Sequence, residues 1–310
     1  MARNTLIFAV KLVVSVSIIA VLVSKFDFTQ ISARLESVSF GYVFFALCTS
    51  FILAVNNALR WQVVLHGVRH PLPFSFVFRA HYIGGFFNQA LPSSIGGDAI
   101  RIYLSHKIGT PLQKSVSSVV FERMVALSGL IFLVTALQPF VLNRTEVTYA
   151  QYIFPALCVA AISGITVVMI LDKLPLWLRK WQIFGAFSNM AVDAKRVFLT
   201  PRYVFAALVL GISGNVLLST VAFFCALSLG VNISIMDAFV FVPPAILISA
   251  LPISIAGWGV REGVMITTLA YAGVAEIDAI IVSILFGLTL AVSSLPGGVF
   301  WLQNRGRKTL

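Results

Sequence analysis

Charge is scarce in this chain: Asp, Glu, Lys and Arg make up 11% of its 310 residues, where soluble domains carry roughly 25%. With 59% hydrophobic residues and a mean hydropathy of +0.98, the apolar side chains cannot all hide in one aqueous core. That composition excludes a soluble globular fold and implies an all-α polytopic membrane protein. Cysteine is also sparse. Cys48, Cys158 and Cys225 are odd in number, lie in separate apolar runs and form no CxxC pair, which argues against a disulfide framework or a zinc site. His66 and His70 make an HxxxH pair that runs into Pro71 without a third ligand, so no metal site is expected. No dinucleotide fingerprint, Walker loop, nucleophile elbow or DxD pair occurs, and no cofactor is expected. Acidic residues number 11 against 22 Lys and Arg, a net charge of +11. The basic residues sit in short stretches between apolar runs, as the positive-inside rule requires, so no nucleic-acid partner is expected.

What the chain does have is length of apolar run. Stretches able to cross ~30 Å of hydrocarbon fall near residues 5–24, 40–64, 116–142, 150–171, 202–229 and 278–302. The first follows Arg3 and ends without a signal-peptidase site, so it reads as a transmembrane helix. Segments 26–38 and 173–198 mix charge with Phe, Trp and Leu and read as helices lying at the membrane surface. Two further runs, 73–91 and 236–256, lead into a repeated motif.

That motif is ALPSSIGGDAIR from Ala90 and ALPISIAGWGVR from Ala250. At an offset of 160 residues, seven of twelve positions agree, where ordinary frequencies predict about one. YVFFAL at Tyr42 also matches YVFAAL at Tyr203, and Phe76–Phe78 matches Phe239–Phe241. The expected architecture is therefore two halves, 1–148 and 149–310. Each holds full spans and a re-entrant broken-helix hairpin, at about 73–110 and 236–275. If the six long runs cross and the hairpins return, basic residues gather on one side of the membrane. Acidic Asp27, Glu36, Glu146, Asp237, Glu276 and Asp278 then lie on the other. This places both termini in the cytoplasm and gives the halves opposite orientation, an inverted repeat of the kind found in transporters.

Pro92 and Pro252 each remove a backbone donor, and Gly96, Gly97, Gly257 and Gly259 favour non-helical turns. Broken backbone at membrane depth is tolerated where protein or a water-filled cavity surrounds it. A helix restarting at Asp98 would present free N–H groups and a positive dipole end, suited to an anion. Arg101, one turn later, adds a planar fork that fits phosphate. Arg261 occupies the matching place in the second copy, beside Glu262. Glu122 and Arg123 add charge early in the following helix and, being adjacent, need separate partners. The expected substrate-binding set is Asp98, Arg101, Glu122, Arg123, Arg261 and Glu262. A bland reading stands beside it: Arg101 neutralises Asp98 at i,i+3, and Arg261 caps carbonyls of its own hairpin.

NQALPSSIGGDAIRIYLSHK, FERMVALSGL and ALPISIAGWGVREGV together resemble the lysylphosphatidylglycerol synthase transmembrane, or flippase-like, family. The resemblance carries that family's motifs to Pro92, Gly96, Gly97, Asp98, Arg101, Glu122 and Arg123, then to Gly257, Gly259, Arg261, Glu262 and Gly263. Ala256 departs from it where a second glycine is common, and the last apolar run, 278–302, has no arginine. The resemblance implies an inner-membrane lipid translocator without catalysis, acting on an anionic or phosphate-bearing headgroup. No aminoacyl-transferase domain follows, so lipid aminoacylation is not expected, and relatives acting near hopanoid or isoprenoid lipids broaden the substrate class. Two other readings stay open: a membrane-embedded transferase for a lipid-linked substrate, with Asp98, Glu122 or Glu262 as base, and a scaffold subunit for a separate lipid-modifying enzyme.

Overall fold

In the computed structural model of this chain, residues 38–90, 96–142, 150–173, 182–249 and 258–305 are described. The expected helix at 5–24, most of the segment 26–38, and Pro92, Pro252 and Gly257 lie outside them. The first half contains α1 (Phe40–Gly67), α2 (Phe74–Ala90), α3 (Gly96–Lys107) and α4 (Leu112–Ala136), continued by a short α5 (Gln138–Leu142). The second half begins with α6 (Ala150–Ile170), which runs into a 3-10 turn at Leu171–Lys173, and the amphipathic α7 (Gln182–Leu199). It continues with α8 (Pro201–Ser228), α9 (Ile235–Ser249), α10 (Val260–Ala270) and α11 (Glu276–Arg305).

Among the described residues α1, α4, α8 and α11 are long and apolar enough to cross a membrane, and the apolar parts of α6 and α9 are shorter. Their outer faces carry bare apolar side chains, with Phe40 83% and Phe205 71% exposed. Such a surface suits hydrocarbon, where apolar exposure costs nothing. The protein is an all-α polytopic membrane protein.

The order long, short, short, long occurs twice, as α1–α4 and α8–α11. Lengths agree closely: 28 and 28, 17 and 15, 12 and 11, 25 and 30 residues. At 1.5 Å per residue, α3 and α10 rise about 18 and 16 Å, far short of the ~30 Å hydrocarbon thickness. Each pairs with the helix before it as a hairpin that cannot make two full crossings.

Contacts along α1 and α8 set their relative direction. Ser39 at the start of α1 donates its N–H to the Ser228 carbonyl at the end of α8, 2.7 Å away. In the middle, Asn56 Nδ2 donates to the Leu210 carbonyl (2.8 Å) and Ser213 Oγ donates to Asn56 Oδ1 (2.8 Å). The equivalent helices are antiparallel. The two hairpins accordingly open toward opposite ends of the bundle. The first opens where Val64 and Val68 meet Ala194 and Val197 of α7, and Lys114 grips Asp193 at 2.6 Å. The second opens where Val38, Leu229, Val231, Ile233 and Val274 form one apolar cluster.

The surface-helix expectation for 173–198 meets α7 in the described part. Its Ala191, Ala194 and Val197 are fully buried, so one face is docked onto the ends of α1 and α4.

Candidate functional site

In the first hairpin α2 and α3 meet closely at Gly84 and Gly97. Gly97 N–H donates to Asn88 Oδ1 at 2.8 Å. A Cβ on Gly97 would lie 1.9 Å from the Gly84 carbonyl oxygen, and one on Gly84 would lie 2.9 Å from Arg101 Cγ. The sequence reading gave Gly96 and Gly97 a turn and restarted the helix at Asp98. The structure has α3 from Gly96, and Gly97 has no positive φ. The glycine at 97 is required by close helix approach, not by backbone strain. In the second copy the geometry differs: Gly259 has φ 87°, a left-handed value that favours glycine, and caps α10.

From the first hairpin a chain of charges runs into the bundle. Glu122 Oε1 accepts from Arg60 Nε at 2.9 Å and Nη2 at 2.5 Å, while its Oε2 accepts from Arg101 Nη1 at 3.0 Å. Arg101 Nη1 also reaches Asp98 Oδ1 at 3.3 Å, and Arg123 Nε donates to Asp98 Oδ2 at 2.7 Å. The order is Arg60, Glu122, Arg101, Asp98, Arg123, three positive charges against two negative, leaving +1. Arg60, Asp98, Arg101 and Glu122 are buried, whereas Arg123 is exposed. The adjacent pair Glu122 and Arg123 thus takes separate partners. Arg101 lies over the Trp61 ring at 4.2 Å, and Trp61 Nε1–H donates to Ser118 Oγ at 3.1 Å. Its Nε and Nη2 are buried without a hydrogen-bond partner.

Arg261 is held differently. Its Nη2 donates to Glu262 Oε1 at 2.7 Å and its Nε to the same oxygen at 3.1 Å. Ser283 Oγ donates to that oxygen too (3.1 Å), and Glu262 Oε2 accepts the Gly259 N–H at 2.5 Å. Neighbours on a helix ordinarily point apart, but in this first turn Glu262 bends back to the helix start and meets Arg261. The guanidinium lies 4.7 Å from the Trp258 ring and 5.5 Å from Phe286. Gly287 makes room for it, since a Cβ there would sit 2.2 Å from Nη2. Arg261 and Glu262 form a neutral pair; Arg101 belongs to a positive chain and keeps two buried donors unmade.

Sequence reasoning missed Arg60, which it placed among basic residues inside the cell, and missed His81 altogether. Arg60 is 7% exposed and packed against Gly214. Its signal was available: an arginine seven residues before the end of a 28-residue apolar helix needs a buried partner.

A cavity of about 250 Å³ with one polar and one apolar wall lies between the halves, bounded by α1 and α2 of the first and α8 and α11 of the second. Asn57, His81, Asn88, Gln89, Ser293 and Ser294 supply its polar wall. Neither Arg101 nor Arg261 is among the described residues that line it. On α2, however, Arg101 packs against Gly84, which shares a helix face with the cavity-lining His81 and Asn88.

A family profile described as the lysylphosphatidylglycerol synthase TM region matches residues 8–297. A curated relative, a UPF0104 membrane protein of Methanothermobacter thermautotrophicus, is 22% identical over 291 residues, covering 84% of this chain and 82% of its own length. The chain belongs to the lysylphosphatidylglycerol synthase transmembrane-region family.

Proposed function

We propose that this member of the lysylphosphatidylglycerol synthase transmembrane-region family translocates a lipid with an anionic, phosphate-bearing headgroup across the plasma membrane. Both termini lie in the cytoplasm in this reading. The observation that carries it is Arg101: a buried guanidinium with Nε and Nη2 unspent, in a charge chain of net +1, two residues past an N-terminal turn whose N–H groups favour an anion. Phosphate oxygens match such a fork. Asp98, Glu122 and Arg123 hold Arg101 in place, and Arg261, paired with Glu262, forms the equivalent station of the opposite half. Lipid tails remain in the bilayer.

The transferase reading has less support. A general base must reach substrate, yet Asp98 and Glu122 accept from arginines on both oxygens, and Glu262 is occupied by Gly259, Arg261 and Ser283. A scaffold role would use exposed Asn189, Val192 and Leu199 of α7 to hold a separate lipid-modifying enzyme.

Reconstitution into phosphatidylcholine liposomes with fluorescent phosphatidylglycerol, read by dithionite quenching, is the test. Wild type is expected to expose inner-leaflet probe, and Arg101→Lys, which keeps the charge but loses the fork, is expected to slow this roughly tenfold at unchanged melting temperature. Unchanged translocation in stable Arg101→Lys and Arg261→Lys proteins refutes the arginine site.

A further inference from the structure

Gly85 sits in the middle of α2 for no reason its backbone supplies. Its φ is not positive, and a Cβ added there would meet no heavy atom within 4 Å. Its neighbour Gly84 is fixed by contact with Arg101 and Gly97. A helix-interior glycine is a stability cost relative to alanine. Gly85 lines the cavity between the halves, so what it preserves is empty volume.

The chemistry of that volume is specific. Its described lining holds amides, hydroxyls and the His81 ring, but no Asp, Glu, Lys or Arg. His81 Nδ1 is buried without a hydrogen-bond partner. Leu53, Ala54, Leu218 and Leu290 give the opposite character, and Tyr82 adds a ring. Polar edges facing an apolar wall suit a group with hydroxyls on its rim and C–H bonds on its face. At about 250 Å³ the cavity falls below the ~300–1,000 Å³ typical of drug-sized pockets, which fits one small headgroup unit. Asn88 both lines the cavity and accepts the Gly97 N–H, so this wall is tied to the helix that carries Arg101.

We propose that the cavity floored by Gly85 is a binding subsite for an uncharged polyhydroxyl group, a glycerol or sugar unit of the headgroup, beside the anion station at Arg101. This rests on the translocator reading for its biological setting but not for its test. Amide and hydroxyl side chains exchange hydrogen bonds with the hydroxyls, and a ligand lacking them leaves those groups unpaired, which is how such sites discriminate.

The test is ligand-induced thermal stabilisation of the purified full chain in detergent, which needs no transport. The probes are dihexanoyl phosphatidylglycerol, dihexanoyl phosphatidic acid and hexyl β-glucoside. Wild type is expected to bind the glycerol- or glucose-bearing probe more tightly than phosphatidic acid of equal chain length. The stronger of the two identifies the source of the hydroxyls. Gly85→Leu fills the cavity and is expected to weaken that binding by roughly tenfold or more, leaving phosphatidic acid binding unchanged. Gly85→Ala, whose methyl group has room, guards against a folding artefact and is expected to give an intermediate loss in a protein as stable as wild type. Equal binding of all three probes by wild type, or the same discrimination in wild type and Gly85→Leu, overturns the subsite. Discrimination without any liposome translocation would instead sink the translocator reading and leave the subsite standing.

Discussion

Arg101 is 4% exposed, yet two of its three guanidinium nitrogens have no hydrogen-bond partner. Buried donors left unmade are costly, and the neighbouring acids are already shared with Arg60 and Arg123. Glu122 carries the heaviest duty, since it alone joins Arg60 to Arg101. Glu122→Gln is expected to lower stability by about 3–5 kcal/mol, because it takes the acidic partner from buried Arg60 and leaves buried Arg101 with Asp98 at 3.3 Å. Arg123 is exposed and buried Asp98 keeps Arg101 as a partner without it, so Arg123→Gln is expected to cost less than Glu122→Gln. Thermal melts of the two variants in the same detergent check the contrast, and equal losses would show that the chain of charges is not a unit.

Helices in this protein approach one another at glycines, and the adjacent pair in α2 shows that the same residue type answers different needs. Gly84→Ala places a methyl group 2.9 Å from Arg101 Cγ and 3.0 Å from the Gly97 carbonyl oxygen, and is expected to destabilise by about 1–3 kcal/mol. Gly85→Ala meets nothing and is expected to be neutral or to gain up to about 1 kcal/mol from helix propensity. The crossing of α4 and α8 is also a glycine contact, backbone against backbone. A Cβ on Gly129 would lie 2.4 Å from the Gly211 carbonyl carbon, so Gly129→Ala forces backbone apart and is expected to lower the melting temperature more than Gly85→Ala does. Small residues at such contacts are how helices pack closely in lipid.

At the scale of the molecule, antiparallel α1 and α8 put the hairpin mouths at opposite ends. Lys107 and Arg202 are exposed at one end, and Asn232 and Ala275 at the other. With Cys48, Cys158 and Cys225 replaced, Asn232→Cys and Ala275→Cys are expected to react with an impermeant maleimide added to intact cells. Lys107→Cys and Arg202→Cys are expected to react only after permeabilisation. Reaction of all four from one side would overturn the inverted arrangement. Lys114 and Asp193 tie α7 to the first hairpin's end, so α7 shares the side of Lys107.

Hydropathy alone was enough for the membrane and for the helices, because a chain with so few charges has no other stable home and no other way to satisfy its backbone there. The duplicated motif raised the expectation of two related halves, and Arg101 and Arg261 stood out as arginines beside broken apolar runs. Partner choice was not legible. Glu122 lies 62 residues from Arg60 and 21 from Arg101, and only the packing of α1, α3 and α4 decides that one carboxylate serves both. The same holds for the asymmetry of the repeat. Seven shared positions predict like sites, but Glu262 bends back onto Gly259 and closes around Arg261, whereas Asp98 is drawn off by Arg123. His81 and Gly85 gave no sequence signal, because the volume they line exists only where helices from both halves meet. Burial and periodicity are written locally along a chain; a charge network and an empty space are properties of surfaces brought together.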